Sequence, residues 1–167
     1  MAVSCALLVT LLTLQRELTV PPESEAASFR IIARNKVSLA QPLPARQRST
    51  IEKIPGVRQV SPFTYFGGLF RDETTTSWAQ FAVDPARFRE LILEGKIIEG
   101  SYDAWVKSRN GCMVGADTLR RYGLKVGDKL RFTGTFYPVD LELTIEVVYA
   151  GTIDDRNCFF HHALLDQ

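Results

Sequence analysis

The chain has 167 residues, 46% of them apolar and 23% charged, which is enough to bury one ordinary core and too rich in aromatic and β-branched residues to be disordered. Its 20 basic and 19 acidic side chains are mixed along the sequence, for a formal charge of +1, so there is no long basic stripe to neutralise a nucleic-acid backbone and nucleic acid is not an expected partner. Cys5, Cys112 and Cys158 lack the paired spacings of zinc or redox sites; an odd number cannot complete a disulfide set, although Cys112 and Cys158 could pair in an oxidising compartment.

From Ala2 to Leu14 the chain is uncharged and almost wholly apolar, and Gln15, Arg16 and Glu17 end the run abruptly. A spanning helix needs roughly 20 apolar residues, so the run alone is too short. No Lys or Arg precedes it, and bulky Leu11, Leu12 and Leu14 stand where a signal peptide would place small residues. The reading adopted is that residues 1–20 are the outer, C-terminal part of a transmembrane helix whose basic, cytoplasmic half precedes Met1; the alternative is an apolar helix packed on the domain's own core. Pro21 and Pro22, with Glu23, Ser24 and Glu25, predict a juxtamembrane hinge over 21–27. The folded domain is expected over 28–167.

Phe29–Ala33 reads as a strand, Lys36–Pro44 as a loop and Ala45–Ile54 as a helix stopped by Pro55 and Gly56. A strand over Val57–Phe66 would then close one β-α-β unit. Gly67 and Gly68 break it before Leu69 and Phe70, which predicts a bulge or turn. Asp72–Ser77 reads as a hairpin connection into a strand over Trp78–Val83. Asp84 and Pro85 open a short helix, Ala86–Leu93, and Glu94–Asn110 reads as helical in places. A short apolar piece, Met113–Gly115, precedes a helix with Ala116, Leu119 and Tyr122 on one face and Gly123 as a left-handed cap. Val126, Gly127 and Asp128 make a tight turn. Leu130 and Phe132, then Leu141, Leu143, Ile145 and Val147, alternate with polar residues as half-buried antiparallel strands do. The fold class is therefore α+β, a mixed, largely antiparallel sheet with short helices, preceded by an apolar helix.

Motifs for chemistry are sparse. Neither a Walker pattern nor a dinucleotide fingerprint is present, and Gly-x-Ser-x-Gly is absent. Cys158, His161 and His162, with Asp154 or Asp155, offer soft and imidazole ligands close together for a transition metal. The competing account is that Phe159, Phe160 and Ala163–Leu165 drive this tail onto the fold and the histidines lie beside them. Glu99 with Asp103, or Asp84 with Glu90, have the look of solvated helix faces or caps rather than acid/base pairs.

The stretch PGVRQVSPFTYFGGLF (Pro55–Phe70), the FAVDP stretch (Phe81–Pro85), GCMVGADTLRRYGLKVGD within Arg109–Asp128, the IEVVYAG strand and the FFHH tail together resemble, and in the same order, the MacB-like periplasmic core domain of FtsX/MacB-type ABC transporter permeases. The resemblance covers about residues 28–167, and the apolar run falls where such permeases end their first transmembrane helix. It implies a subunit of the bacterial inner (plasma) membrane with this domain facing the periplasm or exterior, working as a dimer with a second permease subunit and a separate or fused ABC ATPase. A periplasmic or lipoprotein partner and the membrane are further implied contacts. The implied task is export or release of substrate by mechanical movement. No catalytic, cofactor or metal residues transfer with it.

Gly56, Gly67, Gly68, Gly115, Gly123 and Gly127 are expected at turns, caps or bulges that need permissive backbone. Tyr65, Phe66 and Phe70 are the candidate partner contact, because aromatics anchor interfaces with little loss of entropy; the competing account places them in the core. Arg16 and Arg30 are candidates to meet lipid headgroups. Two other functions stay open: a free-standing periplasmic binding module, and a hydrolase or metalloenzyme using Cys158 and the two histidines.

Overall fold

A computed structural model describes residues 2–19, 29–38, 41, 43–71, 73–75, 77–92, 94–152 and 154–165, and the chain divides into two units, residues 1–31 and 32–167. In the first, α1 (Ala2–Thr19) takes up the whole apolar run. The hydroxyls of Thr10 and Thr13 donate back to the carbonyls of Ala6 and Val9 at 2.7 and 2.8 Å, so these polar groups are satisfied within the helix. Leu7, Leu8, Val9, Leu11, Leu12 and Leu14 are each more than half exposed. Up to Leu14 the helix thus carries exposed apolar side chains with no charge among them. Among the described residues no helix is long and apolar enough to cross a membrane. The hinge expected over 21–27 lies outside the described residues.

The second unit is built on one mixed sheet of β1 (Phe63–Tyr65), β2 (Leu69–Phe70), β3 (Gln80–Val83), β4 (Lys96–Gly100), β5 (Gly111–Gly115), β6 (Lys129–Thr133), β7 (Leu141–Ala150) and β8 (Cys158–His161). The order is β1-β3-β8-β5-β7-β6-β2, with β4 also on β7. Only β3 with β8 and β5 with β7 run parallel. Strand β7 is the spine: β5 occupies one of its edges, while β6 covers the first part of the other and β4 the last part. Strands β1 and β2 stand at opposite ends of this order, yet only residues 66–68 separate them in the chain. The sheet therefore curls and returns on itself at the glycine pair.

Two clusters of apolar side chains flank the sheet. The larger contains Phe66, Phe70, Trp78, Cys112, Val114, Leu119, Leu130, Phe132, Leu141, Leu143, Ile145, Val148, Cys158 and Phe160. The smaller gathers Val83, Phe88, Tyr102, Trp105, Met113, Val147, Tyr149 and Phe159 on the opposite face. Burying each of these large side chains contributes about 1.5–3 kcal/mol. Simple alternation would put Ile145 and Val147 on one face, as the sequence reading expects. The structure places them in different clusters, because Cys112 pairs with Ile145 but Met113 with Val147, leaving Glu146 as an extra residue. A β-bulge shifts the phase of the strand by one residue. One ten-residue strand can then feed both cores.

Short helices close the smaller core. In α3 (Pro85–Phe88) the Asp84 carboxylate accepts from the Ala86 N–H at 3.2 Å, and Phe88 is buried. In α4 (Tyr102–Lys107) Ser101 caps the Ala104 N–H, and the fully buried Trp105 indole donates to the Gly111 carbonyl at 3.1 Å. On the larger core lies α5 (Ala116–Tyr122), ended by Gly123 in the left-handed region. A further short helix, α2 (Arg46–Glu52), has no buried residue and is tied to α3 by an ion pair of Glu52 with Arg87 at 3.0 Å.

Three expectations are corrected. Phe29–Ala33 is not in the sheet, so the β-α-β unit expected there does not form; Phe29, Ile31 and Ile32 are exposed, and strand propensity without a neighbouring ladder makes no strand. The helix after Asp84 ends at Phe88, short of Leu93. Glu94–Asn110 holds the edge strand β4 as well as α4, since Ile97 and Glu99 find partners on the spine strand.

Candidate functional site

The glycine pair that lets the sheet close also builds the most distinctive surface of the domain. Gly67 has φ +65, and a Cβ there would come within 2.8 Å of the rings of both Phe136 and Tyr65. Thr135, in the connection between β6 and β7, donates its hydroxyl to the Gly67 carbonyl at 2.5 Å. That connection is thereby laid over the break with the Phe136 ring outward, 61% exposed. Phe63 and Tyr65 share one face of β1 at alternate positions. Phe63 stacks on Phe81 at 4.3 Å, and Tyr65 lies 5.8 Å from Phe81 and 6.0 Å from Phe136 between ring centroids. Phe63 is itself 46% exposed. These four rings extend outward from the smaller core, since Phe81 also packs on buried Phe159 at 6.0 Å.

Of the three aromatics named from sequence, only Tyr65 belongs to this surface. Phe66 and Phe70 are 0% and 2% exposed: Phe66 packs against Tyr137 and the edge of Phe160, and Phe70 against Trp78, Tyr122 and Phe132. Phe63, Phe81 and Phe136 were missed. Phe63 was legible as the alternate neighbour of Tyr65, whereas Phe136 lies in a turn and reaches the site only through the curl of the sheet.

Among the glycines, Gly115 is set by close approach rather than by φ. A Cβ there would collide with the Asp155 carbonyl, because the 154–157 loop docks on the start of α5. The Asp117 N–H donates to Asp155 O at 3.0 Å and the Thr118 hydroxyl to Arg156 O at 2.6 Å. Gly56, Gly123 and Gly127 have φ of +93, +63 and +90 and open space where a side chain would stand, while a Cβ on Gly68 would press on the Phe66 ring.

The groups nominated for metal or hydrolytic chemistry have structural partners. Cys158 is buried in the larger core, and both it and Cys112 are free thiols. Burial, helped by the neighbouring Cys158 thiol, pushes the Cys112 thiol well above its ordinary range. His161 bonds the Trp105 carbonyl through Nε2 at 2.8 Å, and Asp154 holds Arg156 at 2.6 Å. Partial burial disfavours the charge on Asp155, but hydrogen bonds from the Thr152 hydroxyl and the Gly151 and Thr152 N–H groups outweigh it and hold the carboxyl below the usual range. No three His, Cys, Asp or Glu side chains are gathered for a metal among the described residues. A cavity of about 670 Å³ is lined by Arg109, Asn110, Val139, Asp140, Leu141, Glu142 and Leu164. Its carboxylate Glu142 is engaged by Lys129 and Arg131 at 2.7 and 2.8 Å.

No family model matches the sequence, and no curated protein does. Solved structures do match. The periplasmic region of MacB from Actinobacillus actinomycetemcomitans gives a TM-score of 0.53 at 14% identity, over 74% of this chain and 56% of that one. The fold is that of a MacB-like periplasmic domain. A domain assigned to a permease protein from Porphyromonas gingivalis gives 0.50 at 20% identity, over 70% of this chain and 55% of that one. The extracellular domain of the ABC-type transporter YknZ from Gram-positive bacteria gives 0.51 at 9% identity, over 75% and 65%. This chain thus spans between 55% and 65% of the length of these MacB-like structures. Its curled mixed sheet with short helices matches the fold of these parts of a permease and of transporters.

Proposed function

We propose that the chain is the extracytoplasmic domain of an ABC transporter permease subunit, relaying motion driven by ATP hydrolysis in a separate ATPase to substrate outside the membrane. The observation that carries the reading is the likeness of fold to the periplasmic or extracellular domains of MacB and YknZ. Physical features of the chain agree with it. A relay must be stiff, and β7, hydrogen-bonded along both edges with packed cores on both faces, resists bending. It also needs something to push against, and Phe63, Tyr65, Phe81 and Phe136 supply a rigid apolar contact in place of a chemical site. Helix α1, with exposed apolar side chains up to Leu14, would enter the bilayer beside a second permease subunit.

The test places a photocrosslinking amino acid at Phe136 in membranes of cells that produce the protein with its transporter. The chain is expected in the membrane fraction, with crosslinks that change when vanadate arrests ATP hydrolysis. Recovery in the soluble fraction, or crosslinks indifferent to nucleotide, rejects the reading.

A further inference from the structure

Counted by segment, the charges are less evenly mixed along the chain than the sequence reading has them. Residues 29–60 hold seven basic side chains and one acidic, Glu52, a net +6, whereas residues 61–167 hold 12 basic and 15 acidic, a net −3. Folding sharpens the asymmetry. Glu52 is shared between Arg48 and Arg87, each at 3.0 Å, and so offsets none of the segment's other cations. Arg34, Lys36, Arg46, Lys53 and Arg58 are exposed and enter no ion pair among the described residues. Aliphatic side chains are interleaved with them: Ile32, Val37 and Ile54 are 67%, 84% and 52% exposed.

We infer that Arg34, Lys36, Arg46, Lys53 and Arg58, with the exposed aliphatic side chains among them, form a polybasic surface for the anionic headgroups of a phospholipid bilayer. Lys and Arg near such a surface are attracted within a Debye length, each strengthening binding roughly fivefold. Exposed aliphatic groups between the cations add burial at the headgroup boundary. This pairing favours lipid over nucleic acid, whose unspecific recognition combines cations with aromatic stacking platforms; between Arg30 and Arg58 the chain has no Phe, Tyr or Trp. The inference adds to the reading that α1 enters a bilayer and does not depend on it, because the charge and exposure lie in the unit that begins at residue 32.

The test measures partition of the full chain onto vesicles of phosphatidylcholine alone and of phosphatidylcholine mixed with phosphatidylglycerol. Binding to the mixed vesicles is expected to be tighter by at least about tenfold, with an excess that falls as salt rises. The variant R34Q/K36Q/R46Q/K53Q/R58Q is expected to lose that excess while keeping its circular dichroism spectrum and its binding to neutral vesicles. Equal affinity for both vesicles, an excess unchanged by the five substitutions, or equally tight salt-sensitive binding to an RNA oligonucleotide would each overturn the inference. Failure to bind neutral vesicles with the anionic excess intact would count against insertion of α1 and leave this inference standing.

Discussion

At Gly67 one atom decides two things. A Cβ would be strained at φ +65 and would displace the Phe136 and Tyr65 rings, so Gly67→Ala is expected to cost about 1–2 kcal/mol from the backbone alone. Denaturant midpoints should fall accordingly, and Phe136 should lose its ordered environment by NMR. Asp155 sets a pH dependence. Its carboxyl lies below the usual range in the folded state, so the folded state holds its proton less tightly than the unfolded chain. The stabilisation is present above the unfolded value of about 3.9 and is lost as pH falls through the folded one. Asp155→Asn is expected to lower stability at neutral pH and to flatten the loss between roughly pH 5 and 2, read from urea midpoints across that range.

Among the elements, β7 carries the most information. Its alternating residues announced a half-buried strand, and Leu141, Leu143 and Ile145 do face one core. The phase change at Glu146 was hidden, because Glu146 looks like one more outward polar residue in the alternation. What creates the bulge is the partner: five residues of β5 are matched against six of β7, and the Glu146 carbonyl meets the Gly100–Ser101 corner, with Ser101 N–H donating to it at 3.2 Å. Deleting Glu146 would restore plain alternation and keep Ile145 and Val148 in the larger core and Val147 and Tyr149 in the smaller one, whereas inserting one residue after Val147 would turn Val148 and Tyr149 each away from its core. The deletion is expected to keep a cooperative thermal transition and the insertion to lose it. Duplicating a residue in the exposed Gly134–Phe136 turn, by comparison, should leave the sheet intact.

As a whole, the molecule divides at residues 31 and 32, with both apolar clusters inside the second unit. A chain of residues 32–167 is therefore expected to fold alone, stay monomeric in sedimentation and unfold in one transition. Oligomerisation of the shorter chain through its exposed rings would contradict that expectation.

Local signals were readable wherever the physics is local. The Asp84 cap, the Gly123 left-handed stop, the apolar face of α5 and the alternation of β6 each depend on a few consecutive residues, and the glycine pair was legible as a break. Long-range partners decided the rest. Phe29–Ala33 has strand composition but no ladder to join; Phe66 and Phe70 turned inward because the break folds them into the curl; Phe136 came to Tyr65 from a turn about seventy positions away. Sequence alone determined the caps, the stops and the alternating strands, whose physics is carried by neighbouring residues. Only the tertiary structure, by pairing strands remote in the chain, decided which aromatics are core and which are surface.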